Sequence, residues 1–505
     1  MERPPFIFWN HFLPLRRMRL RYLGVGALLV VSCFFFVASC PPVSRPAWVD
    51  EVDEVAVALR HPTFSVIKDY ERNLPQHSLP PSKGHRPRYL FFPHASWGSG
   101  WNNVFQEQLM NTHLAYLSQR AYVFPDYIPR DHPPFPDTLD NGTRHMLHVP
   151  MNAFVSGPTG GGPFSADGPD SLVRRSVSEK WWNVVCPPHE VVVVNVGQTM
   201  RELGLDDAID DGGRILTRWA SKLLRMEASC VSIEGSSVFN YILFAYRILS
   251  AWPSYGPSPT LKYFAWSSLV TGALSRNFHL LSTTPRPPKY LLPSAADVAP
   301  YKLTSFKPLH ASEPPIPGLL AIHVRRGDYE GHCQGLSFGL AEYNAWNNLG
   351  TPKISQRPEF VDFSRPMWPQ LPDYLEVPEG DSPQDARFKH CLPTAEEIVA
   401  RVGKVREEAM MSGTAPNLRR IYVATNGQRE WMENLTALLK ADGWIVSTSF
   451  DMELTLEERA VGQAVDMAIM TAAEAFIGVG FSSMSSNVVQ IRLAGGRDPR
   501  TIRFW

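Results

Sequence analysis

Beyond residue 87 the apolar positions fall into blocks of two kinds, continuous runs of four to seven and longer stretches spaced by three and four. Arg88 to Phe92 reads as a strand, a Gly-rich turn follows from Trp97 to Asn103, and Val104, Gln108, Leu109, His113, Leu117 and Arg120 then mark a helix before the apolar run Ala121 to Pro125. Strand, turn, helix and strand in so short a stretch predict a parallel βαβ unit. The run Gly318 to Val324 has no alternation, as expected of a strand covered on both faces of a parallel sheet.

Regular blocks resume after an irregular insertion at 331–392 rich in Pro, Trp and Asn. Thr394 and Glu397 form a capping box that opens a helix running to Met411. Arg420 to Ala424 reads as a strand, Gln428 to Ala441 as a helix stopped by Gly443, and Trp444 to Ser447 as a strand. Leu456 to Ala473 follows as a helix and Ala475 to Val479 as a strand. Repeated βα units predict an α/β fold with doubly wound parallel sheets. The Pro-rich stretch at 286–317 separates two such domains, 88–285 and 318–505.

The first 87 residues have another pattern. Arg16, Arg17, Arg19 and Arg21 precede an uncharged stretch, Tyr22 to Cys40, long enough to cross a bilayer, and Asp50, Glu51, Asp53 and Glu54 lie beyond it. The positive-inside rule predicts a cytosolic tail at 1–21, a transmembrane anchor at 22–40 and a Pro-rich stem at 41–87, with the remainder across the membrane. A cleavable signal peptide shares this charge layout, and Val37 to Cys40 loosely matches a lipoprotein cleavage site. All three readings send the body of the chain into a non-cytosolic compartment. The glycosylation sequons at Asn141 and Asn434 fit a secretory lumen.

Composition narrows the class further. The chain has 505 residues, 44% of them hydrophobic, enough for two cores, and its 49 basic and 49 acidic residues cancel. That balance gives no reason to expect a nucleic-acid partner, so an anionic ligand has to be met locally. Outside the apolar span, Cys186, Cys230, Cys333 and Cys391 allow three pairings in an oxidising compartment. Cys333 with Cys391 is preferred, because both would tether the 331–392 insertion. No Cys-x-x-Cys occurs, and adjacent His-Cys pairs at 332–333 and 390–391 are poorly disposed for zinc, so no metal site is expected.

Ligands of doubly wound sheets bind beyond the carboxyl ends of the strands, which directs attention to three places. These are the Gly turn with Gly98, Gly100 and Asn102, the end of the Gly318–Val324 strand with His323 and Arg325, and the small-residue stretch at 480–487 with Ser482 and Ser483. Alternation along a strand puts His323 and Arg325 on one face and Arg326 on the other. The stretch at 480–487 would open a helix, where backbone N–H groups converge on an anion, although an ordinary Ser cap has the same sequence. Arg325 and Arg326 have a blander reading too, as surface partners of Asp328 or Glu330. An adhesion reading of Arg326-Gly327-Asp328 fits poorly with a tripeptide that directly follows a buried strand. Trp346, Trp368 and Tyr374 in the insertion could stack on a sugar or pack the loop.

Taken together, Gly100-Trp101-Asn102-Asn103, His323-Val324-Arg325-Arg326-Gly327-Asp328, and Phe476-Ile477-Gly478 with Ser482-Ser483-Met484-Ser485 resemble the three ordered motifs of the GDP-fucose O-fucosyltransferase superfamily. The resemblance implies a GT-B architecture, two Rossmann-like domains facing a central cleft, and inverting transfer of fucose from GDP-fucose, a donor substrate, with no cofactor and no metal. It implies that Arg325 stabilises the departing diphosphate, that His323, Ser482 and Ser483 contact the donor, and that Asn102 lies near the reacting sugar. Asp466 would read the guanine edge. The acceptor is expected to be a protein Ser or Thr hydroxyl, with a glycan acceptor or a catalytically silent GDP-sugar or glycan binder as alternatives. The location implied is the Golgi or endoplasmic reticulum lumen. The Gly loop lacks the carboxylate some members place there, leaving Asp328, Glu330 and Glu107 as candidate general bases.

Overall fold

The computed structural model describes residues 62–77, 87–93, 100–129, 137–138, 144–145, 148–164, 174–284, 287, 314–351 and 368–505. The expected membrane span at 22–40, Gly98, Asn141 and most of the 286–317 connection lie outside these residues. Among the described residues no helix is long and apolar enough to cross a membrane.

Two five-stranded sheets, both parallel throughout, organise the chain. The first comprises β1 (Tyr89–Phe91), β2 (Ala121–Phe124), β3 (Val177–Ser178), β4 (Val191–Asn195) and β5 (Cys230–Glu234), in the order β3-β2-β1-β5-β4. The second comprises β6 (Ile316–Val324), β7 (Arg420–Thr425), β8 (Ile445–Thr448), β9 (Ala473–Gly478) and β10 (Ile502–Phe504), in the order β8-β7-β6-β9-β10. Strand β6 is central, and Leu319 to Ile322 are fully buried, which is why it reads as an unbroken apolar run. The chain winds one way from β6 through β7 to β8 and returns on the other side at β9. A crevice therefore opens beyond the ends of β6 and β9.

Helix α1 is Trp101–Leu117, α2 is Gly212–Arg225 and α3 is Ser268–Arg276. Next come α4 (Tyr329–Phe338), α5 (Pro383–Cys391) and α6 (Ala395–Ser412), where the Thr394–Glu397 capping box forms. Then α7 (Arg429–Ala441) ends before Gly443, whose φ of +85° is a turn out of the helix that a side chain would resist. Helix α8 (Gly462–Ala472) is the second half of the segment expected as one helix, which breaks at Val461 after a short turn at Leu456–Ala460. Helix α9 is Ser483–Ala494.

Two differences from the sequence pattern are informative. The insertion is not irregular throughout: α4 and α5 pack together and are joined by the Cys333–Cys391 disulfide, with Cα atoms 5.7 Å apart, while Cys186 pairs with Cys230. Trp346 is fully buried between the two sheets' layers, its ring 5.3 Å from that of Tyr255 and 5.2 Å from that of Trp252, so it packs rather than stacking on a ligand. Trp368 is also buried, and neither it nor Tyr374 faces the large cavity described below.

Part of the segment expected as a stem folds onto the first sheet's layer. Thr63 caps a helix over Phe64–Arg72, and Ile67 and Leu74 enter the core. Two apolar anchors make too short a period to stand out in a Pro-rich stretch. Beside them Glu71 is 1% exposed, and one carboxyl oxygen accepts a hydrogen bond from the Asn152 N–H at 2.9 Å.

Burial pushes the Glu71 carboxyl up to about 8, so the folded chain keeps a proton that the unfolded chain releases near 4.5. The associated stability is fully present below pH 4.5 and is lost as pH rises through about 8. Denaturant titrations across this range should show stability falling by a few kcal/mol, and Glu71→Gln should flatten the fall. An unchanged slope in the variant would show that Glu71 does not carry it.

Candidate functional site

A cavity of about 770 Å³ opens between the two layers at the carboxyl ends of the strands. From the first sheet's side it is lined by Gly100, Asn102, Asn103 and Phe244 to Tyr246. From the second it is lined by His323, Arg325, Asp328, Asp466, Ser482 and Ser483. Residues from all three sequence motifs therefore line one space, although 381 positions separate Asn102 from Ser483.

The end of β6 sorts its side chains by face. Arg326 turns away, laid on the Trp431 ring at 4.1 Å and donating to the carbonyls of Arg325 and Pro393. Arg325 turns toward the cavity with its guanidinium over the Tyr329 ring at 4.7 Å. His323 is 2% exposed, its Nδ1 lies 2.9 Å from Ser485 Oγ, and its backbone carbonyl accepts from the Trp505 indole at 2.9 Å. Ser485 Oγ also accepts from the Val479 N–H and keeps a second lone pair, so the serine holds His323 Nδ1 in either ring tautomer. Burial, then the Arg325 charge, lowers His323 to about 3. The imidazole is neutral and offers one donor.

Helix α9 starts at the opposite wall. Ser482 is its N-cap, accepting from the Met484 N–H at 3.2 Å, which leaves the hydroxyl proton free to donate. Asn347 Nδ2 donates to the carbonyls of Gly480 and Ser482 and holds this turn. Gly480 is required by close approach: a Cβ there would lie 2.4 Å from the Tyr343 ring. At Gly100 nothing among the described residues lies within 4 Å of the same position.

Asn102 joins the two halves. Its Nδ2 donates to Gln463 Oε1 at 2.7 Å, and Asn487 Nδ2 donates to its carbonyl at 2.8 Å. Gln490 Nε2 donates to Asn487 Oδ1 at 2.7 Å, and the Tyr255 hydroxyl donates to Gln490 Oε1 at 2.7 Å. Asn487 and Gln490 are buried and hold the Asn102 backbone, while the exposed Gln463 takes the Asn102 side-chain amide. Asp466 sits further along the cavity, where the Tyr422 and Ser449 hydroxyls both donate to Oδ1, at 2.6 and 3.1 Å. Burial raises its pKa to about 6. Two donors occupy one oxygen, leaving Oδ2 to the cavity.

The three candidate bases separate. Asp328 lines the cavity but accepts from Asn426 at 3.0 Å and pairs with Arg325 at 3.5 Å. Glu330 is exposed on α4 and does not line the cavity. Glu107 is not on a helix surface: it is 1% exposed inside α1, where burial raises it to about 7, and it does not line the cavity either. Nearly every side of α1 is covered, which its spacing of apolar residues alone does not reveal. Asn434 is exposed on α7. Among the described residues no group of three His, Cys, Asp or Glu side chains is placed to hold a metal.

The structure adds Tyr329, His332, Tyr343, Asn426 and Gln463 to the cavity wall. Asn426 was within reach of sequence reasoning, because Thr425-Asn426-Gly427 is a polar turn at the end of a strand beside β6.

No protein-family model matches the chain, and no curated protein does. Among solved structures it is similar to POFUT1 in complex with GDP-fucose, with 15% identity, a TM-score of 0.48, and coverage of 84% of this chain and 99% of that one. A POFUT1 complex with GDP gives 15% and 0.48, covering 83% and 98%. A mutant of Arabidopsis thaliana FUT1 in complex with GDP gives 11% and 0.32, covering 90% and 79%.

Replacing Asn487 by Leu would strand the Asn102 carbonyl and the Gln490 amide in a buried place. Chemical denaturation should show a loss of about 1–3 kcal/mol. A loss near zero would mean that the amide chain is not a stabilising element.

Proposed function

We propose that the cavity binds a GDP-sugar and that the chain transfers fucose, with inversion, from GDP-fucose to an acceptor hydroxyl. The observation that carries this reading is the convergence of Arg325, the N-terminus of α9 and Asn102 on one cavity from two sheets. Arg325 and the start of α9 supply donors to a diphosphate, and the order of the motifs supplies the choice of GDP-fucose. The GT-B arrangement of two layers around a cleft belongs to the same reading.

In this mechanism the acceptor oxygen attacks the anomeric carbon as the bond to the diphosphate breaks on the opposite side. Negative charge collects on the departing GDP, where the guanidinium of Arg325 and the free hydroxyl proton of Ser482 lie ready to donate, with the His323 ring beside them. The α9 dipole acts in the same direction. Asp466 Oδ2 accepts from the guanine N–H edge, and Asn102, held by Gln463 and Asn487, faces the sugar. No metal or cofactor takes part. The acceptor is assigned as a protein Ser or Thr hydroxyl, and the Arg-flanked apolar span with two disulfides supports an anchored, luminal site. Asp328, engaged by Asn426 and Arg325, is a compromised base, which favours a second reading: a GDP-sugar binder that does not turn over.

Calorimetry in the presence of a chelator should show GDP binding, weakened by about 1.5–3 kcal/mol in Arg325→Ala. Equal affinities would remove Arg325 from the site. Release of GDP from GDP-fucose only with an acceptor peptide present identifies a protein O-fucosyltransferase, release only with a glycan identifies the glycan enzyme, and binding without release identifies the silent binder.

The Asp466 carboxylate must be ionised to accept from guanine, so GDP affinity should rise as pH rises through about 6. Subtracting the profile of Asp466→Asn removes the titration of the phosphate itself, which both chains share. Parallel profiles would place guanine elsewhere.

A further inference from the structure

Among the described residues, the carboxylate paired with Arg325 is Asp328, at the long distance of 3.5 Å. Its firmer support is a ring: the guanidinium carbon lies 4.7 Å from the centroid of Tyr329. The difference matters chemically. A carboxylate in bidentate contact consumes the in-plane N–H donors, whereas an aromatic face holds the plane of the guanidinium and leaves those donors free. An arginine that has to grip an anion benefits from the second kind of support.

The same tyrosine reaches the other wall. It is 7% exposed, and its hydroxyl donates to the Phe481 carbonyl at 3.2 Å, one residue before the Ser482 cap of α9. Burial, more than the opposing charges nearby, pushes the Tyr329 hydroxyl up to about 12, so it remains a donor at any working pH. Helix α4, which begins at Tyr329, is anchored by the Cys333–Cys391 disulfide one turn on. One side chain thus touches both anion-binding walls and is itself fixed from behind.

We propose that Tyr329 is a positioning residue that sets the separation between the Arg325 guanidinium and the α9 N-terminus, so that both grip one diphosphate. The proposal rests on the GDP-sugar reading of the cavity and adds the device that makes its two walls act together. It also assigns a role to the insertion: the disulfide-linked pair α4 and α5 carries the clamp.

The test is a double-mutant cycle read by GDP calorimetry on the chain, Arg325→Ala, Tyr329→Leu, Tyr329→Phe and the two combined variants. Tyr329→Leu should weaken GDP binding about tenfold, and Tyr329→Phe, which keeps the ring and loses the hydroxyl, about threefold to fivefold. In the Arg325→Ala background each change should cost less than about twofold, because the guanidinium being positioned is gone. Tyr329 losses that persist undiminished beside Arg325→Ala would overturn the proposal and identify a merely structural tyrosine. Wild-type affinity in both Tyr329 variants would overturn it as well. Should Tyr329→Leu fail to fold, the Phe variant decides by the same criterion. A wild-type chain that does not bind GDP would remove the donor-site reading, and this proposal with it.

Discussion

The structure depends on a line of amide hydrogen bonds that runs from Tyr255 through Gln490 and Asn487 to Asn102 and ends at Gln463. Its members come from both sheets' layers, and Gln490 and Asn487 are fully buried. Water does not replace a bond broken at Asn487 or Gln490, so these two amides are held in one orientation by their partners. The line holds Asn102, which lines the cavity, against α9 and α8.

Other contacts across the same interface have a similar character. The Trp266 indole donates to Thr471 at 3.3 Å, Asn277 exchanges two hydrogen bonds with the backbone of Glu453, and Arg276 pairs with the buried carboxylate of Glu458. Directional polar contacts fix the relative placement of the two layers, and the stacked rings of Trp346 and Tyr255 fill the space between them. An apolar interface alone would tolerate sliding. A site assembled from both sides needs its separation set more closely than that.

The anion-binding side shows how local rules become a site. An alternating strand sends Arg325 one way and Arg326 the other, a serine caps a helix, and a glycine lets Tyr343 close under the turn. None of these is unusual by itself. Their meaning comes from lying at the place where the winding of the second sheet reverses, which leaves the ends of β6 and β9 uncovered.

By itself the sequence indicated the parallel βα alternation, a buried strand from Gly318 to Val324 and the capped helices, because each follows from periodicity or from contacts close along the chain, and it favoured the Cys333–Cys391 pair because both cysteines bound one insertion. It also pointed to the strand ends where His323, Arg325, Ser482 and Asn102 sit. Only the tertiary structure decided which charged groups face the cavity. Glu107 and Asp328 are both carboxylates near a motif, yet one is buried within α1 and the other is tied to Asn426. Tyr329 and the Asn102–Asn487 line were equally hidden, since their partners lie 152 and 385 positions away. Burial and long-range pairing are properties of packed surfaces, and no local period encodes which surfaces will meet.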